Sequence, residues 1–153
     1  MSSRTRIANE AWETLFRAQA TIARELTAAD VWGELAPHEY GVLYALSGAP
    51  EGVRISELQG DVLLSQPGMS RLIARLESRG LIERADDPDD KRACRVRLTD
   101  AGASAQRQVG TRHGCHVAQT MTRTLSREQL VQLRDLCRGL TTTPRGSMEA
   151  GAA

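Results

Sequence analysis

Lysine is almost missing from this 153-residue chain: of its 20 cationic residues only Lys91 is a lysine, and the rest are arginines. Aromatic residues make up only 3%, so a core has to be built from Leu, Ile, Val and Ala rather than from rings. Excess charge is missing as well. Lys and Arg number 20 against 19 Asp and Glu, a formal net charge of +1, which excludes both a polybasic tail and an acidic disordered chain. Any basic surface must come from segregation of charge. No run of about 18 apolar residues occurs, so no membrane span is expected. Met1 to Ile7 turns polar again before an apolar stretch forms, so no signal peptide is expected. The cysteines, Cys94, Cys115 and Cys137, are odd in number, far apart and without a C-x-x-C pair. That argues against a disulfide framework or a zinc finger and suits a reducing, cytoplasmic setting.

What is present suffices for one domain, or one domain with an extension used for pairing: 16.7 kDa, 41% apolar, with no internal repeat. Ile7, Ala11, Leu15, Ala18, Ile22 and Leu26 keep the helical period, predicting a first helix over Arg4–Ala29 with Trp12 and Phe16 beside the stripe. Val31 to Ala36 is a break. Pro37 suits the first turn of a second helix, in which Tyr40, Leu43, Tyr44 and Ala45 can face a core, and Gly48 stops it. Val53-Arg54-Ile55 reads as a one-rung strand. Ser56 with Gln59 is a capping box opening a short helix to about Leu64, and Ser65 caps the next, which runs to Arg79 and stops at Gly80. Leu81 to Ala85, a charged turn, and the alternating Cys94-Arg95-Val96-Arg97-Leu98 make a hairpin. Thr99 caps a long polar helix to about Thr124. Ser126 with Gln129 caps a last one, striped by Leu130, Leu133, Leu136, Cys137 and Leu140, and Thr141 to Ala153 reads as a disordered tail.

Helix, tight turn, helix and hairpin in that order form a winged helix, whose second helix is the candidate reader of a DNA groove. On that helix Met69, Leu72, Ile73 and Leu76 share one stripe. Arg71 and Ser78 lie almost opposite, flanked by Pro67, Ser70, Ala74 and Arg75. A face of small, hydroxyl-bearing and cationic residues can approach base edges, and arginine suits guanine O6 and N7. Two arginines on an outer helix face are also commonplace on any surface. The hairpin adds Lys91 and Arg92 at its tip and Arg95 and Arg97 on its return strand. It also carries Asp86, Asp87, Asp89 and Asp90, which repel phosphate unless salt bridges engage them.

The segment Leu35–Gly102 resembles the MarR family of winged-helix transcription regulators. The residues that carry the resemblance are Ile55-Ser56-Glu57-Leu58, Ser65-Gln66-Pro67-Gly68-Met69-Ser70-Arg71-Leu72-Ile73, Leu76-Glu77-Ser78-Arg79-Gly80-Leu81-Ile82-Glu83-Arg84, Asp90-Lys91-Arg92 and Leu98-Thr99-Asp100-Ala101-Gly102. The resemblance implies a mainly helical fold with a small β-wing, a winged helix-turn-helix flanked by long N- and C-terminal dimerisation helices. It implies residues 1–34 as an N-terminal dimerisation helix, 35–98 as the DNA-binding domain, 99–140 as C-terminal dimerisation helices and 141–153 as the tail. It further implies an obligate homodimer bound to double-stranded DNA at an inverted repeat, acting as a repressor. Carried over by position, Ser65, Gln66, Pro67, Gly68, Ser70 and Arg71 face the major groove, and Arg75 touches backbone or bases. Arg92 enters the minor groove with Asp90 as its brace, Lys91 beside it, and Arg54 meets a phosphate.

Such regulators answer to a signal. A small aromatic or phenolic effector would have Trp12, Phe16, His38, Tyr40 and Tyr44 as candidate contacts, although aromatics at helical spacing commonly serve a core. Thiol sensing has Cys115 as its best candidate, beside His116, and a metal would have His113, Cys115 and His116 with His38 approaching from elsewhere. Solvated or satisfied histidines are the plainer reading, and no metal site or cofactor is expected. Nor is an enzyme: Cys115 and His116 are helix neighbours pointing about 100° apart, and no glycine-rich phosphate loop, nucleophile elbow or H-E-x-x-H is present. A helical adaptor that binds protein through the winged helix is the remaining alternative.

Overall fold

The structure, a computed structural model, describes residues 2–61, 66–90 and 92–142. Helix α1 spans Ser3–Ala28 and is opened by the Ser2 hydroxyl, which accepts from the Thr5 N–H at 3.2 Å. Its apolar stripe is present, yet none of its residues is buried. After a turn in which the Trp32 indole N–H donates to the Thr27 carbonyl, Pro37 begins α2, Pro37–Ser47. Ala36 offers no side chain as a cap, but the Glu39 carboxylate accepts its N–H at 2.8 Å. Tyr40, Val42, Leu43 and Leu46 are buried on α2. Tyr44 is not: it is 62% exposed, because α2 turns its Val42–Leu43 side inward and leaves Tyr44 outside.

Strand β1 is two residues, Val53–Arg54, and α3 follows directly over Ile55–Asp61. The expected capping box at Ser56 is displaced. The Arg54 N–H donates to the Glu57 carboxylate at 2.9 Å, so Arg54 stands at the cap and Ser56 lies inside the helix. Helix α4 covers Gln66–Ser78, and the chain turns through Gly80, whose φ of +68° only glycine takes freely. Strands β2, Ile82–Asp86, and β3, Cys94–Leu98, form the hairpin, with Ile82 opposite Leu98 and Asp86 opposite Cys94. β1 adds to the other side of β3, giving an antiparallel sheet in the order β1-β3-β2. The core is aliphatic, as the scarcity of rings requires: Leu43, Leu46, Leu58, Met69, Ile73, Leu76, Ile82 and Val96 are each 2% exposed or less.

Helix α5, Asp100–Thr122, begins against the turn that ends α4. The Thr99 hydroxyl donates to the Gly80 carbonyl at 2.6 Å and accepts the Gly102 N–H at 3.1 Å, while the Thr99 N–H donates to the Leu81 carbonyl. Gly102 passes so near that strand entry that a Cβ on it would overlap the Leu81 carbonyl oxygen and stand 2.8 Å from its carbon. The chain divides into a unit ending at His116 and another beginning at Val117. In the second, α6 spans Arg127–Thr141 and is opened by the expected capping box, Ser126 with Gln129. Thr141 is thus still helical, and the rest of the proposed tail, from 143 on, lies outside the described residues. The α6 stripe is unburied: Leu136 is 70% and Leu140 66% exposed, and Cys137 is only half-buried.

Candidate nucleic-acid interface

The helical wheel of α4 is realised. Met69, Leu72, Ile73 and Leu76 are buried at 0–3% exposure, and Ser70, Arg71, Ala74, Arg75 and Ser78 face outward. Gly68 is half-buried near the start of that face; Gln66 and Pro67 open the helix, and Ser65 lies outside the described residues. The two arginines differ in a way their spacing does not show. Arg71 is exposed and has no ion-pair partner among the described residues. Arg75 is held: its Nε lies 2.9 Å from Glu39 Oε1 and its Nη2 3.2 Å from His38 Nε2.

Glu39 is the hub beneath this face. It is 4% exposed, and its second oxygen takes Arg79 Nη1 at 3.0 Å together with the Ala36 N–H. Burial pushes its carboxyl upward, but the Ala36 N–H, Arg79 and Arg75 outweigh that and leave the pKa below the ordinary glutamate value. One buried carboxylate therefore ties α2 to Arg75 of α4 and to Arg79 just beyond its end. The local sequence marks Glu39 only as an acid in the first turn of α2, since its partners Arg75 and Arg79 lie far along the chain.

The wing is organised by another acid that sequence reasoning did not separate from its neighbours. Asp87 is 2% exposed. Its Oδ2 accepts Arg54 Nε at 2.6 Å and Arg95 Nε at 3.0 Å, and its Oδ1 accepts the Asp89 N–H at 2.9 Å. Arg54 first, then the Asp89 amide and Arg95, hold its carboxyl well below the usual aspartate range. So Arg54, expected at a phosphate, has its Nε committed to Asp87, although its side chain stays 37% exposed. Arg95 is likewise committed, and Arg97 pairs with Glu83 at 2.7 Å. At the tip, Asp90 accepts the backbone N–H of Arg92 at 3.0 Å, bracing the turn rather than the guanidinium. Arg92 is exposed, and Lys91 lies outside the described residues. Among the described residues of α4 and the wing, the cations left to face outward are Arg71 and Arg92, with Arg75 poised on its anchors.

The aromatic candidates are divided among separate places. Trp12 and Phe16 stack at 6.1 Å on α1, 63% and 58% exposed. Tyr40 packs on Trp32 at 5.7 Å and on His113 at 5.3 Å, with Tyr44 beyond it at 6.0 Å. Trp32 and His113 were not singled out as neighbours of Tyr40; only the folding of α5 over the α1–α2 turn brings them there. Burial raises the Tyr40 phenol and lowers the His113 imidazole below its usual pKa. His38 belongs elsewhere. It joins Gly68, Arg71, Leu72 and Arg75 around a cleft of about 350 Å³ on the outward side of α4. Among the described residues no cluster of three His, Cys, Asp or Glu side chains could hold a metal.

Known proteins match this arrangement. A family model described as the MarR family matches residues 34–93. The multiple antibiotic resistance protein MarR of Salmonella typhimurium is 32% identical over 80 residues, which are 52% of this chain and 56% of that protein. The chain thus spans only a little over half the length of that relative. A mutant MarR of E. coli, solved in complex with operator DNA, superposes with a TM-score of 0.67 at 22% identity, over 83% of this chain and 93% of that one. The PcaV transcriptional regulator of Streptomyces coelicolor, solved with its natural ligand, gives 0.62 at 26% identity, over 87% and 90%. From 34 to 93 the chain is similar to the MarR family, and its fold is shared with these solved structures well beyond that segment.

Proposed function

We propose that this chain is a homodimeric, sequence-specific regulator of transcription that binds double-stranded DNA at an inverted repeat. It acts in the cytoplasm as a repressor and is released by a small aromatic or phenolic effector. The observation that carries the reading is α4 itself: a buried apolar side behind an outward face of Ser70, Arg71, Ala74 and Ser78, with no ion-pair partner for Arg71 among the described residues. The relative solved on operator DNA and the one solved with its natural ligand support the two halves of the proposal. The dimer is supported by α1 and α6, which bury none of their residues while Ile7, Trp12, Phe16, Leu136 and Leu140 stand in water. A second copy covering those stripes makes residues 1–34 and 99–140 the pairing elements and 35–98 the reading head. Among the described residues no helix is long and apolar enough to cross a membrane.

Selection of sites from a random duplex pool at about 150 mM salt tests this directly. The wild type is expected to enrich an inverted repeat with half-sites about 10 bp apart. Arg71→Ala is expected to lose discrimination of about 1–3 kcal/mol at one base pair in each half-site. Arg92→Ala should weaken all sequences alike and lower the salt slope by about one. A uniform loss with Arg71→Ala would remove it as a base reader; no enrichment by the wild type would remove the function.

A further inference from the structure

Glu39 is charged where its capping role needs no charge. As the third residue of α2 it accepts the Ala36 N–H at 2.8 Å, a cap that a glutamine would supply equally well. It is nevertheless an acid, 4% exposed, beneath the outward face of α4. A negative charge there opposes phosphate binding, so a helix built only to hold phosphates gains nothing from it. The carboxylate is also immobile. Its Oε2 is fixed by the Ala36 N–H and by Arg79 Nη1 at 3.0 Å, and Nη2 of Arg79 donates in turn to the Glu34 carbonyl at 3.1 Å. With one oxygen so fixed, Oε1 has a set direction, and Arg75 Nε meets it at 2.9 Å.

We infer that Glu39 is a positioning residue for DNA specificity: it holds Arg75 by Nε so that the rest of the guanidinium reads a base pair instead of sweeping across the backbone. The inference rests on the DNA-binding function proposed above. A guanidinium is a rigid planar fork of five donors, and a bidentate contact to guanine O6 and N7 needs two of them in one plane and direction. A phosphate contact positions without that demand. Holding Nε restricts the plane of the whole fork, which has no internal rotation, and leaves donors on both Nη groups for the contact. Arg75 keeps 53% of its side chain exposed and lines the cleft that Gly68 and Arg71 share. Arg71, one turn earlier, has no ion-pair partner among the described residues and must settle its direction on binding. Arg75 has its direction beforehand, which lowers the entropy lost in making the contact.

The test is fluorescence anisotropy with the full chain at about 150 mM salt. The probes are a duplex carrying the enriched repeat, its symmetric single-base-pair variants and a mixed-sequence duplex of about 30 bp. Glu39→Gln is expected to lose about fivefold or more of the discrimination at one base pair per half-site, at a different base pair from Arg71→Ala. Its affinity for the mixed-sequence duplex should stay level or tighten, because the face has lost an anion. A variant that was merely unstable would weaken on every duplex. Glu39→Asp keeps the charge but shortens its reach by one methylene; it is expected to lose the same discrimination and stands in for the amide if that variant does not fold. With Arg75→Ala already in place, neither change should remove more. Additive losses, an equal loss on every duplex, or unaltered discrimination in the Glu39 variants would overturn the inference and leave the DNA reading intact. Failure of the wild type to enrich any repeat would overturn both.

Discussion

Gly102→Ala should unfold this protein more readily than any other single methyl on its surface helices, at a cost of about 3 kcal/mol or more. The added Cβ would overlap the Leu81 carbonyl oxygen, and neither partner can turn away. A Cβ has no rotamer, and the Leu81 carbonyl already accepts the Thr99 N–H. Relief requires lifting the first turn of α5 off the α4–β2 turn, which also breaks the Thr99 bonds to Gly80 and Leu81. For a chain of this size the midpoint of thermal unfolding should fall by roughly 6–12 °C at matched protein concentration. Gly114→Ala is the control, on the same helix but with nothing within 4 Å of the new Cβ. It should raise the midpoint slightly, by about 0.5–1 kcal/mol of helix propensity. Equal shifts in the two variants would mean that the close approach does not exist.

Asp87→Asn should disable DNA binding without dismantling the helices. The amide keeps the shape but not the charge that holds Arg54 and Arg95 together across β1, β3 and the wing turn. Two guanidiniums then face each other around a neutral group, and the turn carrying Arg92 loses its base. Affinity for the enriched duplex should drop by more than an order of magnitude as the wing's phosphate contact is lost, while far-UV circular dichroism stays unchanged. Acid titration gives an independent check. The Asp87 pKa is depressed by folding, so its stabilisation is complete above the ordinary aspartate pKa of about 3.9 and is lost as pH falls below it. Glu39, also depressed, acts in the same direction. Urea midpoints of the wild type should therefore be level from about pH 7 to 5 and fall below about pH 4, and the gap to Asp87→Asn should narrow with them. A gap of the same size at pH 7 and pH 3 would show that the carboxylate charge does not hold the wing.

Local rules carried the reading a long way and stopped at identifiable places. Helix ends were legible because caps act over three or four residues: Ser126 at a start, Gly48 and Gly80 at stops. The division of α4 into a buried and an outward face was legible because the helical period imposes it. Asp87 was not distinguishable from Asp86, Asp89 and Asp90, since its partner Arg54 comes 33 residues earlier. Arg75 and Arg71 looked alike for the same reason; only the arrival of α2 gives one of them Glu39 and His38. Gly102 belonged to a recognisable run, Leu98 to Gly102, but its cause is a carbonyl on the far side of the hairpin. The stripe on α6 was apolar as read, yet a stripe does not say whether its cover comes from the same chain.

The seam at Thr99 and Gly102 has a mechanical consequence. Because the start of α5 is bonded to the turn ending α4 at two points, Thr99 to Gly80 and Thr99 to Leu81, the two helices cannot pivot independently there. From Asp100 to His116 α5 forms an arm of about 25 Å. A sideways push of about 2 Å at its far end then rotates the reading helix by nearly 5°, through a joint with no slack to absorb the motion. Whatever bends α5 steers α4.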